Sequence, residues 1–176
     1  YKITLDQCVA KGIVSPYTIY CKPVQLTGTE KDEYKKINNS FVYYKYKLGQ
    51  FNAFDEAKRI MGDKNAHPAD KKCAVMFYRA IRERKKIVDF ASNKITQFQK
   101  LVLNNMDSKI LAFSGANDFT DQMCASVSPL SAAYHSKITK KKREQALEDF
   151  KTNKINVLCS TKALNQGLDI PDANMG

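Results

Sequence analysis

Ile155-Asn156-Val157-Leu158-Cys159-Ser160-Thr161-Lys162-Ala163-Leu164-Asn165-Gln166-Gly167-Leu168-Asp169-Ile170-Pro171 is the stretch that decides the fold. Its first five residues form a short, largely apolar run of the length expected for a buried strand. Ser160-Thr161 then ends the run with two hydroxyls. Upstream, Lys109-Ile110-Leu111-Ala112-Phe113 ends in Ser114-Gly115, and Ala132-Ala133-Tyr134 ends in His135-Ser136. Helical patterns over Asp118–Ala125 and Thr139–Lys151 separate the three runs. Strand and helix alternating through short loops predict βαβ units and a parallel sheet.

In open parallel α/β sheets, ligands sit beyond the carboxyl ends of the strands. All three ends here carry small polar residues followed by a helix. Hydroxyls and free N–H groups at helix starts are natural phosphate binders, while the same Ser and Thr residues also serve simply as helix caps. Past the last strand, Gly167 allows a close backbone approach. Asp169 supplies a carboxylate, and Pro171 stops the local structure.

Before residue 108 the grammar is different. Thr4 with Gln7 reads as a helix start and Gly12 as its end. Tyr17–Leu26, β-branched and aromatic, reads as a strand. Thr27-Gly28-Thr29 caps a helix running to about Leu48, and a weaker helix follows over Gln50–Met61. From Ala69 a long helix places Ala74, Phe77, Tyr78, Ile81, Val88 and Ala91 near one face. Arg79, Arg82 and Lys86 fall on another. A further helix spans about Lys94–Asn105.

The chain has 176 residues, 43% of them hydrophobic and 27% charged, which excludes a disordered chain. A chain this long buries about 70% of its unfolded surface, so a core forms without disulfides or metal. Lys+Arg is 29 against Asp+Glu 18, for a net charge of +11, which favours an anionic partner. Residues 1–107 hold 20 basic and 11 acidic residues, or +9; residues 108–176 hold 9 and 7, or +2. Five scattered cysteines without a C-x-x-C pair point to a reducing, intracellular compartment.

Ser160-Thr161 through Gly167-Leu168-Asp169-Ile170-Pro171 resembles motif V of superfamily 2 helicases. Lys109–Ser114 resembles their motif IV. Tyr134-His135-Ser136 with Arg143-Glu144 and Phe150 resembles the element between the two. Residues 2–28 are similar to the segment joining the motor lobes in repair-type DNA translocases. The resemblance implies three parts: an interlobe segment over 1–28, a basic helical region over 29–107, and a RecA-like C-terminal lobe over 108–176, incomplete at its C-terminus. It implies nucleic-acid backbone contacts at Thr161, Ser114, Gly115 and Arg143, and a nucleotide-coupling role for Gly167 and Asp169. The implied partners are ATP with Mg²⁺, DNA (RNA also possible) and an N-terminal RecA-like lobe of the same polypeptide.

Some positions depart from the family pattern. Lys140 stands where many relatives carry Gln, and Gln166 stands in place of the Arg common in RNA-type relatives. No G-x-x-x-x-G-K-[ST] and no Asp-Glu box occur in the 176 residues. The chain is therefore expected to need a partner lobe for ATP hydrolysis.

Beside the resemblance, Lys137 and Lys140–Arg143 crowd cations at a helix start, where the dipole disfavours them. Phe41, Tyr43, Tyr44 and Tyr46 interleave with Lys45 and Lys47, as core aromatics or a stacking surface. A non-enzymatic basic nucleic-acid-binding α/β domain is the rival reading. A small-molecule enzyme such as a methyltransferase would need a Gly-rich first turn that is missing.

Overall fold

In the computed structural model the described residues are 4, 7, 10–12 and 18–161. Gly167 and Asp169 lie outside them. Near the N-terminus, Thr4 N–H donates to Gln7 Oε1 (3.0 Å) and Gln7 N–H donates to Thr4 Oγ1 (3.3 Å), the reciprocal pairing expected of a helix start.

The described chain from residue 28 begins with four helices: α1 (Gly28–Lys47), α2 (Ala53–Gly62), α3 (Pro68–Asp89) and α4 (Ser92–Leu103). Then β1 (Ile110–Ser114), α5 (Asn117–Ser126), β2 (Ser131–Tyr134), α6 (Lys140–Lys151) and β3 (Val157–Thr161) follow in strict alternation. The sheet is parallel with order β1-β3-β2, so the last strand inserts between the first two. This is the α/β sheet with flanking helices expected from the sequence, preceded by a helical region.

Strand parity sorts the core into two layers. Ile110, Ala112, Val157 and Cys159 face α4 and α5, packing with Val102, Phe119, Met123 and Val127. Leu111 and Leu158 face the other way, onto Ala146 and Phe150 of α6. Val157, Leu158 and Cys159 are all fully buried, as a central strand covered on both faces requires.

The helical region has its own core. Leu48, Ala53, Ala57, Ile60, Ala74 and Phe77 pack with Phe41 and Tyr44. Phe77 stacks on Phe41 at 5.5 Å and meets the edge of Phe54 at 5.1 Å. Gly49, at φ +91°, supplies the left-handed residue that turns the chain after α1.

Several expectations fail. Residues 18–26 form no strand. Ile19 and Tyr20 are 74% and 88% exposed, with no neighbouring strand to complete a ladder, and Pro23 removes a donor. Tyr43 and Tyr46 are exposed, so only Phe41 and Tyr44 of that aromatic run belong to the core. Val88 is exposed too. His67 caps α3, its Nδ1 accepting from Ala69 N–H at 3.2 Å.

Candidate nucleic-acid interface

The carboxyl edge of the sheet gathers the candidate residues. Ser114 ends β1 and Thr161 ends β3, and the two are register partners. Parallel strands bring these hydroxyl residues to one side because 114 and 161 share parity with the α5-facing residues. Gly115 follows immediately. A Cβ built on Gly115 would lie 3.9 Å from Asp89 Oδ2, so the end of α3 abuts this edge.

Ser114 is more engaged than a free phosphate ligand would be. Its Oγ donates to the Ala116 carbonyl (2.9 Å), accepts from Ala116 N–H (3.3 Å) and lies 2.7 Å from Thr120 Oγ1. The hydroxyl thus fixes the turn from β1 into α5. Ser160 is likewise spent internally, donating to the Tyr134 carbonyl at 2.8 Å. Thr161, only partly buried, is the side chain of that pair that reaches the surface.

Two helix starts meet this edge without side-chain caps. α5 begins after Ala116 and α6 after Thr139, and neither residue makes a side-chain capping bond. The first-turn N–H groups of a helix lack intrahelical partners and carry the positive end of its dipole. Lys140, Lys141, Lys142 and Arg143 stand at the start of α6 with no acid in its first turn, so positive charge is concentrated there.

Arg143 is partly buried. Its Nη1 donates to the Ile138 carbonyl at 3.2 Å, and the guanidinium lies 6.0 Å from the Tyr134 ring centroid. It secures the β2–α6 loop and keeps its other donors. Lys140 is exposed and 3.8 Å from Glu144, a weak surface pair.

His135 does not reach the surface of this edge. It is 2% exposed, and its Nε2 lies 2.8 Å from Asp121 Oδ1. Its Nδ1 is buried without a partner. Asp121 is fourteen residues upstream on α5, which is why local sequence gave no partner for the imidazole. Next to this pair, Lys137 Nζ bonds Asp118 Oδ1 at 2.8 Å and pulls the Asp118 carboxyl below its usual range. The β2–α6 loop is therefore tied to α5 by two polar links.

Arg79, Arg82 and Lys86 are all exposed on α3. Their spacing of three and four residues makes one stripe, extending about 10 Å from Arg79 to Lys86. The stripe is not purely basic. Arg79 Nε pairs with Glu83 Oε1 at 2.7 Å, and Lys86 lines a cleft of about 590 Å³ with Glu30, Glu33 and Glu83. Lys85 pairs with Asp89 at the end of the helix and offsets its charge beside Gly115.

The sequence reading also missed Glu30. Its Oε2 accepts from Thr27 N–H (2.8 Å), completing a capping box in which Glu30 N–H donates to Thr27 Oγ1 at 3.3 Å. Its Oε1 accepts from both Ser92 N–H (2.8 Å) and Ser92 Oγ (2.7 Å). One carboxylate thereby joins the start of α1 to the start of α4. The Ser92 bonds, followed by the Thr27 bond, hold its pKa down to about 2.

Residues 93–176 match the helicase conserved C-terminal domain. The matched stretch starts inside α4 and takes in all three strands, α5 and α6. The match supports a helicase C-terminal lobe for this part of the chain. No curated protein matches the sequence. Among solved structures, the chain is similar to the crystal structure of the Pyrococcus furiosus Hef helicase domain, at 17% identity and a TM-score of 0.41. That similarity covers 82% of this chain and 29% of the other, so the chain spans less than a third of that structure's length.

Among the described residues, no group of three or more His, Cys, Asp and Glu side chains could hold a metal ion. At the sheet edge, Asp118 and Asp121 are already committed to Lys137 and His135. No described helix is long and apolar enough to cross a membrane.

Proposed function

We propose that the chain is the second RecA-like motor lobe of a superfamily 2, ATP-dependent DNA helicase or translocase of the repair type. The observation carrying this reading is the convergence at one sheet edge of Thr161, Gly115 and two uncapped helix starts, within residues matching the helicase C-terminal domain. Backbone N–H groups, hydroxyls and the cations opening α6 suit successive phosphates of a strand.

In this reading Thr161, Gly115 and the α5 start contact the strand's backbone. Ser114 holds that turn in shape and contributes through it. Lys140 and Arg143 add charge from the α6 start. Gly167 and Asp169 couple the lobe to the nucleotide. A carboxylate at Asp169 repels phosphate, so it acts through ribose, water or a basic group of the first lobe. Arg79, Arg82 and Lys86 form a second contact wall on the helical region. ATP and Mg²⁺ belong mainly to the first lobe, which supplies the phosphate loop and the magnesium carboxylates.

ATPase assays test the division of labour. The isolated 176-residue chain should give no turnover with or without DNA. A protein joining it to a first lobe with a phosphate loop should hydrolyse ATP, faster when DNA is added. DNA binding without any stimulated turnover in that two-lobe protein would favour a non-enzymatic nucleic-acid-binding domain instead.

A further inference from the structure

The cations that open α6 are carried by the loop that leaves β2, and one buried bond fastens that loop to α5. His135, the first residue after β2, is 2% exposed, and its Nε2 lies 2.8 Å from Asp121 Oδ1. An ionised carboxylate only accepts, so Nε2 is the donor whichever protonation state the ring adopts. Nδ1 has no partner among the described residues, which leaves Asp121 as the ring's single polar anchor. From this ring a backbone relay runs outward. The His135 carbonyl accepts from Ile138 N–H at 3.1 Å, and the Ile138 carbonyl accepts from Arg143 Nη1 at 3.2 Å.

We propose that His135 and Asp121 are positioning residues for phosphate binding, acting through Ile138 to hold Arg143 and the open start of α6 in place. The inference deepens the helicase reading and rests on it.

By charge alone, Asp121 works against a nucleic acid. Its side chain is 54% exposed, and a carboxylate repels the phosphates proposed for this edge. Its bond to His135 gives it a use that opposes this repulsion. A buried donor that loses its acceptor keeps the full cost of its desolvation, so the ring would leave its site to recover a partner. The loop would follow, because the His135 carbonyl is part of the relay. The neighbouring Lys137–Asp118 pair is open to water on both sides, and such surface pairs hold little by themselves. Arg143 needs the tie because a guanidinium meets phosphate through a rigid planar fork. One of its N–H groups is spent on Ile138, and that bond sets the plane of the rest.

Positioning and charge predict opposite signs. If Asp121 acted by charge alone, its removal would tighten DNA binding. If it positions the loop, its removal frees Arg143 and weakens binding. Asp121→Asn separates the two, because it keeps an acceptor oxygen for Nε2–H while deleting the negative charge.

The test is binding of a fluorescein-labelled oligothymidylate to the full chain at low salt, read by anisotropy. Asp121→Ala should bind several-fold more weakly than wild type despite its lost negative charge, and Asp121→Asn at least as tightly as wild type. Arg143→Ala should lower the affinity of the wild-type chain and lower it much less in the Asp121→Ala background, as expected of residues acting in one chain of contacts. In the DNA-free chain, Asp121→Ala should speed hydrogen exchange at residues 136–143 and leave 110–114 and 157–161 unchanged. His135→Leu should repeat the Asp121→Ala result; if that buried variant misfolds, the Asp121 variants on the exposed side of the bond still decide. Tighter binding by Asp121→Ala, an Arg143→Ala loss of equal size in both backgrounds, or unchanged exchange at 136–143 would each overturn the proposal while leaving the helicase reading intact. A wild-type chain that does not bind the oligonucleotide at low salt would overturn the helicase reading, and the positioning role with it.

Discussion

Replacing Glu30 by Ala should loosen the junction between the helical region and the sheet lobe. The change removes the acceptor for Thr27 N–H and both acceptor contacts for Ser92. Loss of a capping interaction costs about 0.5–2 kcal/mol. Hydrogen bonds to a charged group are worth about 1.5–3 kcal/mol each when shielded, and less here because water competes at this partly exposed site. A total loss of about 1–3 kcal/mol follows from the two effects combined. For a domain of this size that corresponds to a fall in Tm of roughly 2–12 °C. Glu30→Gln should lie between wild type and Glu30→Ala, because its single amide oxygen serves only some of the three donors.

The pH dependence has a fixed sign. Glu30 titrates at about 2 in the folded chain against 4.5 as the ordinary value. A carboxyl depressed on folding contributes its stability above the unfolded pKa and loses it as pH falls through the folded one. The gap between wild type and Glu30→Ala should therefore be full at pH 6 and shrink from about pH 4.5 towards pH 2. Urea unfolding followed by circular dichroism across that window measures it. A gap that is constant with pH, or that widens as pH falls, would refute the linkage drawn from Glu30.

Charge reversal at Arg79, Arg82 and Lys86 together should weaken DNA binding and flatten the salt dependence of log K; an unchanged slope in a filter-binding titration would move the contact away from α3. In a two-lobe protein, Thr161→Ala should lower DNA affinity, by about 1–3 kcal/mol if it loses a bond to a phosphate. Asp169→Ala should instead lower DNA-stimulated ATP turnover; equal losses of affinity with normal turnover in both would contradict the assigned roles. Phe150→Ala, which empties a fully buried site under β3, should cost about 3–5 kcal/mol in denaturant unfolding; a loss under 1 kcal/mol would mean that α6 is not anchored there.

The sheet was legible because its runs carry local grammar. Ile110–Ser114 and Val157–Thr161 are compact apolar segments with hydroxyls at their ends, and the two helices between them have clean polar starts. Thr27 was legible as a cap for the same local reason. What escaped depends on tertiary neighbours. Residues 18–26 carry β-formers, but strand preference is realised only against a partner, and Ile19 and Tyr20 meet none. Tyr43 and Tyr44 are adjacent on α1, yet only Tyr44 packs against the helical core. His135 with Asp121, Glu30 with Ser92, and Gly115 beside Asp89 join residues 14, 62 and 26 positions apart, beyond the reach of any helical or strand period. Of the candidate interface, the backbone positions Gly115 and Thr161 were readable, whereas the internal use of the Ser114 hydroxyl emerged only with Thr120 in place.

Hydrogen exchange by mass spectrometry on the full chain, free and with a single-stranded DNA oligonucleotide at low salt, tests the central claim most directly. The account places the phosphates at the carboxyl edge of the sheet. Bound DNA should slow exchange at the amides of residues 115–119, 136–143 and 161, and added salt should abolish that protection. Protection confined to the opposite, amino edge around Lys109, Leu130 and Ile155, with residues 115–119 and 136–143 unchanged, would contradict it.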